Sequence, residues 1–260
     1  MSVFGRYADW YDLFYADKDY LAESAFVDRV LRKHGANGGS LLEIGCGTGA
    51  HAESMITHGW RVCGIDHSDQ MLARARARFD LPGIGNVHQA EFHHGDARSF
   101  DLGRQFDAAV SLFHVMSYQA EPGDLEAALK ATRRHLRPGG LFLFDFWYGP
   151  AVLAQRPELR SRQVENQRHQ VVRTATPTLN EDQQWVDVRY SFGIVDKMDG
   201  SHAELEELHR MRYLFADEID RLAAQAGFRT EAILEWMGDQ PPTVQSWNTC
   251  VILRACDRPL

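Results

Sequence analysis

The sequence predicts an α/β fold: a doubly wound, mostly parallel sheet with an antiparallel β insertion before its last helix. Three observations carry that reading. Between residues 40 and 146, short apolar runs alternate with segments of helical spacing. The first run ends in Gly45-Cys46-Gly47-Thr48-Gly49, a strand-to-helix turn. Later, Val186, Val188, Tyr190, Phe192 and Ile194 alternate with Asp187, Arg189 and Ser191, the pattern of a half-exposed antiparallel strand.

The elements follow in order. Asp19 to Lys33 carries an apolar face of Leu21, Ala25, Val27, Val30 and Leu31, and Gly35 to Gly39 ends that helix. Ser40–Ile44 is a short buried strand. The helix after the glycine loop bears Ala52, Met55 and Ile56 and closes at Gly59. Arg61–Asp66 is the second strand, and Ser68 caps a helix with Met71, Leu72, Ala75 and Phe79 inward. Asn86–Phe92 and Phe106–Leu112 are the next strands. Leu125, Ala128, Leu129, Thr132 and Leu136 mark one helix face, which Pro138-Gly139-Gly140 stops before the apolar strand Leu141–Phe146. From about Gln155 to Leu214 extended segments dominate, with Arg168–Thr176 and Glu206–Leu214 set to pair with Gln184–Ile194. A helix with Ile219, Leu222, Ala223 and Ala226 ends at Gly227, a favourable residue just past a helix end. Phe228–Glu235 and Ser246–Arg254 complete a seven-stranded Rossmann-like sheet.

Composition narrows the function. At 260 residues with 44% hydrophobic residues, the chain can bury a sizeable core. A net charge of −8 without a Lys/Arg cluster lacks the footprint of phosphate-backbone binding, so neither nucleic acid nor membrane is an expected partner. Met1 to Tyr20 is aromatic and acidic, unlike a secretory signal, and no stretch approaches a membrane span. Cys46, Cys63, Cys250 and Cys256 form no CxxC pair, so reduced thiols in a cytoplasmic protein are expected. His93 and His94, adjacent on a strand, point to opposite faces, and no metal is expected.

The chemistry concentrates in Glu43-Ile44-Gly45-Cys46-Gly47-Thr48-Gly49. Closely spaced glycines after a strand let the backbone approach a ligand closely. Asp66 ends the next strand, where a carboxylate can accept both ribose hydroxyl protons. Gly95-Asp96-Ala97 follows the third strand, placed to meet an adenine amino group. The spacing is GxGxG; a nicotinamide enzyme would normally show the longer GxGxxG.

These motifs, with Phe106-Asp107-Ala108-Ala109-Val110-Ser111 and Leu136-Arg137-Pro138-Gly139-Gly140, resemble class I methyltransferases dependent on S-adenosyl-L-methionine (SAM). The resemblance covers Ser40 to Phe146 and, more weakly, the final helix and two strands. It implies SAM as cofactor, held by Tyr15, Glu43, Gly45, Cys46, Gly47, Gly49, Asp66, His67, Met71, Asp96, Ala97 and Leu112. Cys46, without a neighbouring base, serves there as a small filler. A narrower resemblance rests on Tyr11-Asp12-Leu13-Phe14-Tyr15, Lys18-Asp19-Tyr20, Ser111 to Tyr118, and Phe146-Trp147-Tyr148-Gly149-Pro150. These are similar to bacterial deoxyaminosugar N-methyltransferases, which dimethylate nucleotide-linked 3-amino sugars such as the desosamine and mycaminose precursors. That likeness implies Tyr15 closing over the methionyl end of SAM and Tyr118 beside the reacting amine. It also implies a small-molecule acceptor.

The residues alone leave the acceptor open. A free amine needs no strong base, whereas a hydroxyl needs a base or a metal. His114 and Tyr118 are the candidate catalytic residues; either could orient an amine, and His114 could also serve a hydroxyl as base. Arg189 and Arg212 could meet a nucleotide diphosphate, or simply be solvated. Trp147 and Tyr148 could be core. A SAM-binding protein without catalysis is a further reading. The expected organisation is a helical cap over the cofactor at 1–34, the SAM-binding domain at 35–150 and 215–260, and the insertion at 151–214 on the acceptor side. An exposed strand edge in the insertion could also support a homodimer.

Overall fold

The computed structural model describes residues 8–80 and 89–257. The expectations placed on Met1–Tyr7 and on Asn86–His88 lie outside them. Helices α1 (Ala8–Phe14) and α2 (Tyr20–Lys33) precede β1 (Gly39–Ile44). Asp19 caps α2 by accepting a hydrogen bond from the Ala22 N–H at 2.8 Å, satisfying one of the donors a helix start leaves free. Then follow α3 (Ala50–Thr57), β2 (Trp60–Asp66), α4 (Asp69–Phe79), β3 (Ala90–His94), β4 (Phe106–Ser111), α5 (Asp124–Arg134) and β5 (Leu136–Tyr148). Ser68 caps α4 as its sequence position suggests.

The parallel strands run β3-β2-β1-β4-β5, so β1 and β4 flank the point where strand order reverses. Ligands of open α/β sheets bind there, outside the carboxyl ends of the strands. On one face, α2 buries Phe26, Val27, Val30 and Leu31 with α3 and the sheet residues Leu41 and Val62. On the other, α5 and a later helix pack Leu125, Leu129, Ile219 and Leu222 against Leu42, Phe142 and Phe144.

After β5 the chain forms α6 (Gly149–Gln155) and four antiparallel strands. These are β6 (Arg160–Glu165), β7 (His169–Asn180), β8 (Trp185–Asp196) and β9 (His202–Leu214). Along β8, Val186, Val188 and Phe192 are buried while Arg189 and Gly193 are exposed, as a period of two requires. Helix α7 (Ala216–Gln225) and strands β10 (Phe228–Glu235) and β11 (Asn248–Ala255) return to the parallel sheet, where β11 runs antiparallel to both β5 and β10. Among the described residues no helix is long and apolar enough to cross a membrane.

Three expectations need correction. Leu21 and Ala25 are exposed on α2, whose buried apolar face is Phe26, Val27, Val30 and Leu31. Among the described residues the sheet has eleven strands rather than seven, because β9 joins β5 through Trp147↔Tyr213 and Tyr148↔Leu214 and draws the antiparallel strands into one hydrogen-bonded path. Leu136 belongs to β5, paired with Phe106, not to the helix before it. Its apolar side chain fits the helical spacing by coincidence; α5 has already ended at His135, and Leu136 is buried from the strand.

Candidate active site

The glycine loop leaves β1 with three residues at positive φ: Gly45 (72°), Gly47 (54°) and Gly49 (76°). A Cβ on Gly45 would sit 2.5 Å from both Val115 methyls, so only glycine fits. Gly47 is different, since a Cβ there would meet nothing within 4 Å. Its bare backbone lines a cavity of about 280 Å³, together with Gly45, Asp66, His67, Met71, Asp96, Ala97 and Tyr118.

Asp66 is held from behind. The Gly47 N–H donates to its Oδ2 and the Ser68 N–H to its Oδ1, both at 2.9 Å. Each carboxylate oxygen retains a lone pair for a ligand hydroxyl. Asp96 is tied to Arg98, whose backbone N–H and Nε both donate to Oδ1 at 2.9 Å; these bonds hold its carboxyl below the usual range. Arg98 donates onward to Asp124 at 3.0 Å. Arg98, Asp124, Phe113, Val115 and Gln119 also line the cavity and were not singled out by sequence. Glu43 lies fully buried near the loop, its carboxyl pushed up to about 8, first by burial and then by Asp66. Its Oε2 has no hydrogen-bond partner.

Other expected cofactor residues stand behind the cavity rather than along it. Cys46 is buried, packed where a Gly64 Cβ would be, and burial raises its thiol well above its usual range. Gly49 begins α3, and Leu112 is core. Tyr15 packs edge-on against Phe113 at 4.8 Å and accepts a hydrogen bond from Arg173 at 3.0 Å.

Beyond β4 the chain does something its sequence does not announce. Phe113 and His114 are consecutive non-glycine residues at φ 65° and 63°. Each such conformation costs about 1–3 kcal/mol and persists only where its surroundings enforce it. Asp145, buried on β5, is part of those surroundings: the His114 N–H donates to its Oδ1 at 3.0 Å. The imidazole Nδ1 lies 2.8 Å from Oδ2, an ion-pair distance whose angle is not that of a hydrogen bond. The paired left-handed residues put neighbouring side chains on different walls. Phe113 lines the cofactor-side cavity, and His114 lines a second one.

That second cavity measures about 540 Å³. Trp147, Trp247 and Tyr190 give it aromatic walls; Arg156, Arg160, Arg162 and Arg173 give it positive charge. Trp147 is therefore a wall residue as well as packing. Arg173 stacks on the rings of Phe14 and Tyr190. Arg189 and Arg212 are not among its lining residues: Arg189 is exposed opposite Glu206, and Arg212 pairs with Glu218. Between the two cavities, the Tyr118 hydroxyl lies 2.7 Å from His209 Nδ1, and His209 Nε2 lies 3.0 Å from Glu207 Oε2.

His93 and His94 diverge, His93 toward Glu91 and His94 toward the His67 carbonyl. Among the described residues, Cys63, Glu91 and His93 come close enough together to hold an ion. Arg104 pairs with Glu91 there, and its charge opposes a cation.

The comparisons with known proteins agree with this geometry. A model of a methyltransferase domain matches residues 41–140. The chain is 30% identical over 229 residues to dTDP-3-amino-3,6-dideoxy-alpha-D-glucopyranose N,N-dimethyltransferase of Streptomyces fradiae, covering 87% of this chain and 85% of that one. The chain belongs to the SAM-dependent methyltransferase family. It is also 38% identical over 150 residues to dTDP-3-amino-3,4,6-trideoxy-alpha-D-glucopyranose N,N-dimethyltransferase of Streptomyces venezuelae, a match spanning 60% of that relative. The SAM-bound structure of CalS10, an amino pentose methyltransferase from Micromonospora echinaspora, superposes with a TM-score of 0.73 at 26% identity, covering 98% of each chain. As in other methyltransferases of this family, the cofactor is SAM. The residues present suit it: bare backbone at Gly47, an oriented carboxylate at Asp66, and the buried, unpartnered Oε2 of Glu43.

Proposed function

We propose that this protein methylates the amine of a nucleotide-linked amino sugar. The observation that carries this reading is the turn at Phe113–His114, which sets one residue on the cofactor cavity and the next on an aromatic, arginine-lined cavity. Arginine forks match phosphate oxygens, and aromatic walls suit a base and a sugar face. The two Streptomyces relatives act on dTDP-linked amino sugars, which have these parts.

When bound, SAM supplies a methyl group activated by its sulfonium. Gly45, Gly47, Asp66, His67, Met71, Asp96 and Ala97 would hold it. The protein's own task is to present the acceptor nitrogen with a free lone pair, in line, with water excluded. His114 and Tyr118 orient that amine, and Asp145 fixes the His114 ring. On this reading residues 35–150 and 215–260 form the cofactor domain, and 151–214 an antiparallel insertion on the acceptor side. The described part of residues 1–34 caps the cofactor; α1 supports this through Asp12, which accepts from the Thr48 hydroxyl at 2.7 Å. The four free cysteines fit a cytoplasmic setting. Strand β6 ends the sheet path and offers an edge for a homodimer.

The test is product mass after incubation with SAM and a panel of nucleotide-linked amino sugars. A gain of one or two methyl groups on the amine is expected. Methylation only of hydroxyl compounds would overturn the reading, as would silence across the panel with SAM binding intact.

A further inference from the structure

No local sequence pattern marks His209 or Glu207, yet on β9 His209 is buried and Glu207 half-buried, aligned behind Tyr118. A buried histidine–glutamate pair is costly to desolvate unless its geometry compensates, and a well-packed apolar pair serves stability as well or better. The pair also sits at a junction. Tyr118 lines the cofactor cavity, while Tyr190, whose ring lies edge-on to His209 at 4.8 Å, lines the second.

We propose that Tyr118, His209 and Glu207 form a relay that takes the proton from the acceptor ammonium before methyl transfer. This rests on the amine reading above. Glu207 accepts a hydrogen bond from His209 Nε2–H, which fixes the tautomer that leaves Nδ1 bare toward the Tyr118 hydroxyl. The ammonium N–H bond breaks and its proton passes to the Tyr118 oxygen. The phenol's own proton passes to His209 Nδ1, leaving a neutral amine, an intact phenol and an imidazolium paired with the Glu207 carboxylate. The amine lone pair then forms the N–C bond as the C–S bond of SAM breaks, with the electron pair going to sulfur. After the product leaves, the proton returns through Tyr118 to water. Tyr118 is the catalytic residue of this set; His209 and Glu207 are positioning residues acting through it. The hydroxyl stays a phenol throughout, in keeping with burial, which pushes its ionisation well above the usual range. Facing the relay are Tyr190 from β8, Glu207 from β9 itself, Arg173 from β7, and Tyr15 just past the end of α1.

Two measurements test it. The first is the nitrogen NMR of the His209 ring in the intact protein, which should show Nε2 protonated and Nδ1 bare. The reverse tautomer overturns the relay whatever the enzyme methylates. The second is the pH profile of kcat and KM for wild type, His209→Gln and Glu207→Gln, with SAM affinity measured alongside. Each variant should lose about 100-fold in kcat near neutral pH, the lower end of what positioned proton transfer supplies. The deficit should shrink as pH rises and the amine arrives already neutral, and SAM affinity should stay within about twofold. A deficit of constant size at all pH values, or equal losses in kcat and SAM affinity, would make the pair a structural support. If wild type methylates no amine, the functional reading fails, and the tautomer still decides whether the relay exists.

Discussion

The two cavities are built on different principles. The cofactor side is made of contiguous backbone, with a glycine loop, the end of β2 and the turn after β3 each contributing a short run. The proposed acceptor side is made of side chains from several strands: Arg160 and Arg162 on β6, Arg173 on β7, Tyr190 on β8, and Trp247 just before β11. A backbone cradle accepts one ligand shape and tolerates few residues at its glycines. A wall of side chains can be rebuilt one residue at a time. The comparison teaches where specificity within this fold can drift and where it cannot.

The largest break in that contrast should come from Asp66→Ala. On the proposed reading, in which Asp66 holds the ribose hydroxyls, losing two charge-assisted bonds and the anchors of Gly47 and Ser68 should weaken SAM binding by about 2–4 kcal/mol in calorimetry. Unchanged affinity would remove Asp66 from the cofactor site.

Glu43→Gln comes next. The wild-type carboxyl sits at about 8 in the folded protein against an ordinary 4.5, so folding favours its protonated form. That contribution is fully present below the unfolded value and is lost as pH rises through about 8. Glutamine does not titrate, so the variant should gain on wild type between these limits, by on the order of 1–3 kcal/mol in denaturant melts without SAM. Parallel pH curves would place the perturbation elsewhere.

Asp145→Asn sharpens the comparison at the boundary of the two cavities. The amide keeps an oxygen for the His114 N–H but loses the charge beside the ring. A fall in kcat of roughly 10- to 100-fold with SAM affinity unchanged is expected. On the acceptor side, Arg160→Ala with Arg162→Ala should raise KM for a nucleotide-linked acceptor about tenfold and make it less salt-sensitive. Arg189→Ala, exposed on the far side, should leave both kinetic constants within the scatter of ordinary surface changes, about 0.5 kcal/mol.

The same contrast explains what could be read in advance. The glycine loop, Asp66, the Ser68 cap and the alternation along β8 depend on residues close together in the chain, and their periods and turn chemistry are visible in one dimension. The His114–Asp145 contact joins residues 31 apart, and Tyr118–His209 joins residues 91 apart; no local pattern marks either. The left-handed conformations of Phe113 and His114 were hidden for a related reason. Two consecutive left-handed non-glycine residues are not read from residue type, and part of what holds them, the bond from the His114 N–H to Asp145, comes from β5. The second cavity's arginines look like solvated strand residues until the strands are folded over β5. Leu136 misled in the opposite sense, an apolar side chain fitting a helical period it does not belong to.

The turn at Phe113–His114 also acts as a gauge. Successive Cα atoms stand about 3.8 Å apart, and near-attack distances are about 3–3.5 Å. At this point one residue step along the chain separates a side chain on one cavity from a side chain on the other. One residue added or deleted between Leu112 and Val115 would disturb the turn that sends Phe113 to one cavity and His114 to the other. Length there is as constrained as residue identity, while the antiparallel strands can vary in length at their far ends without altering that turn.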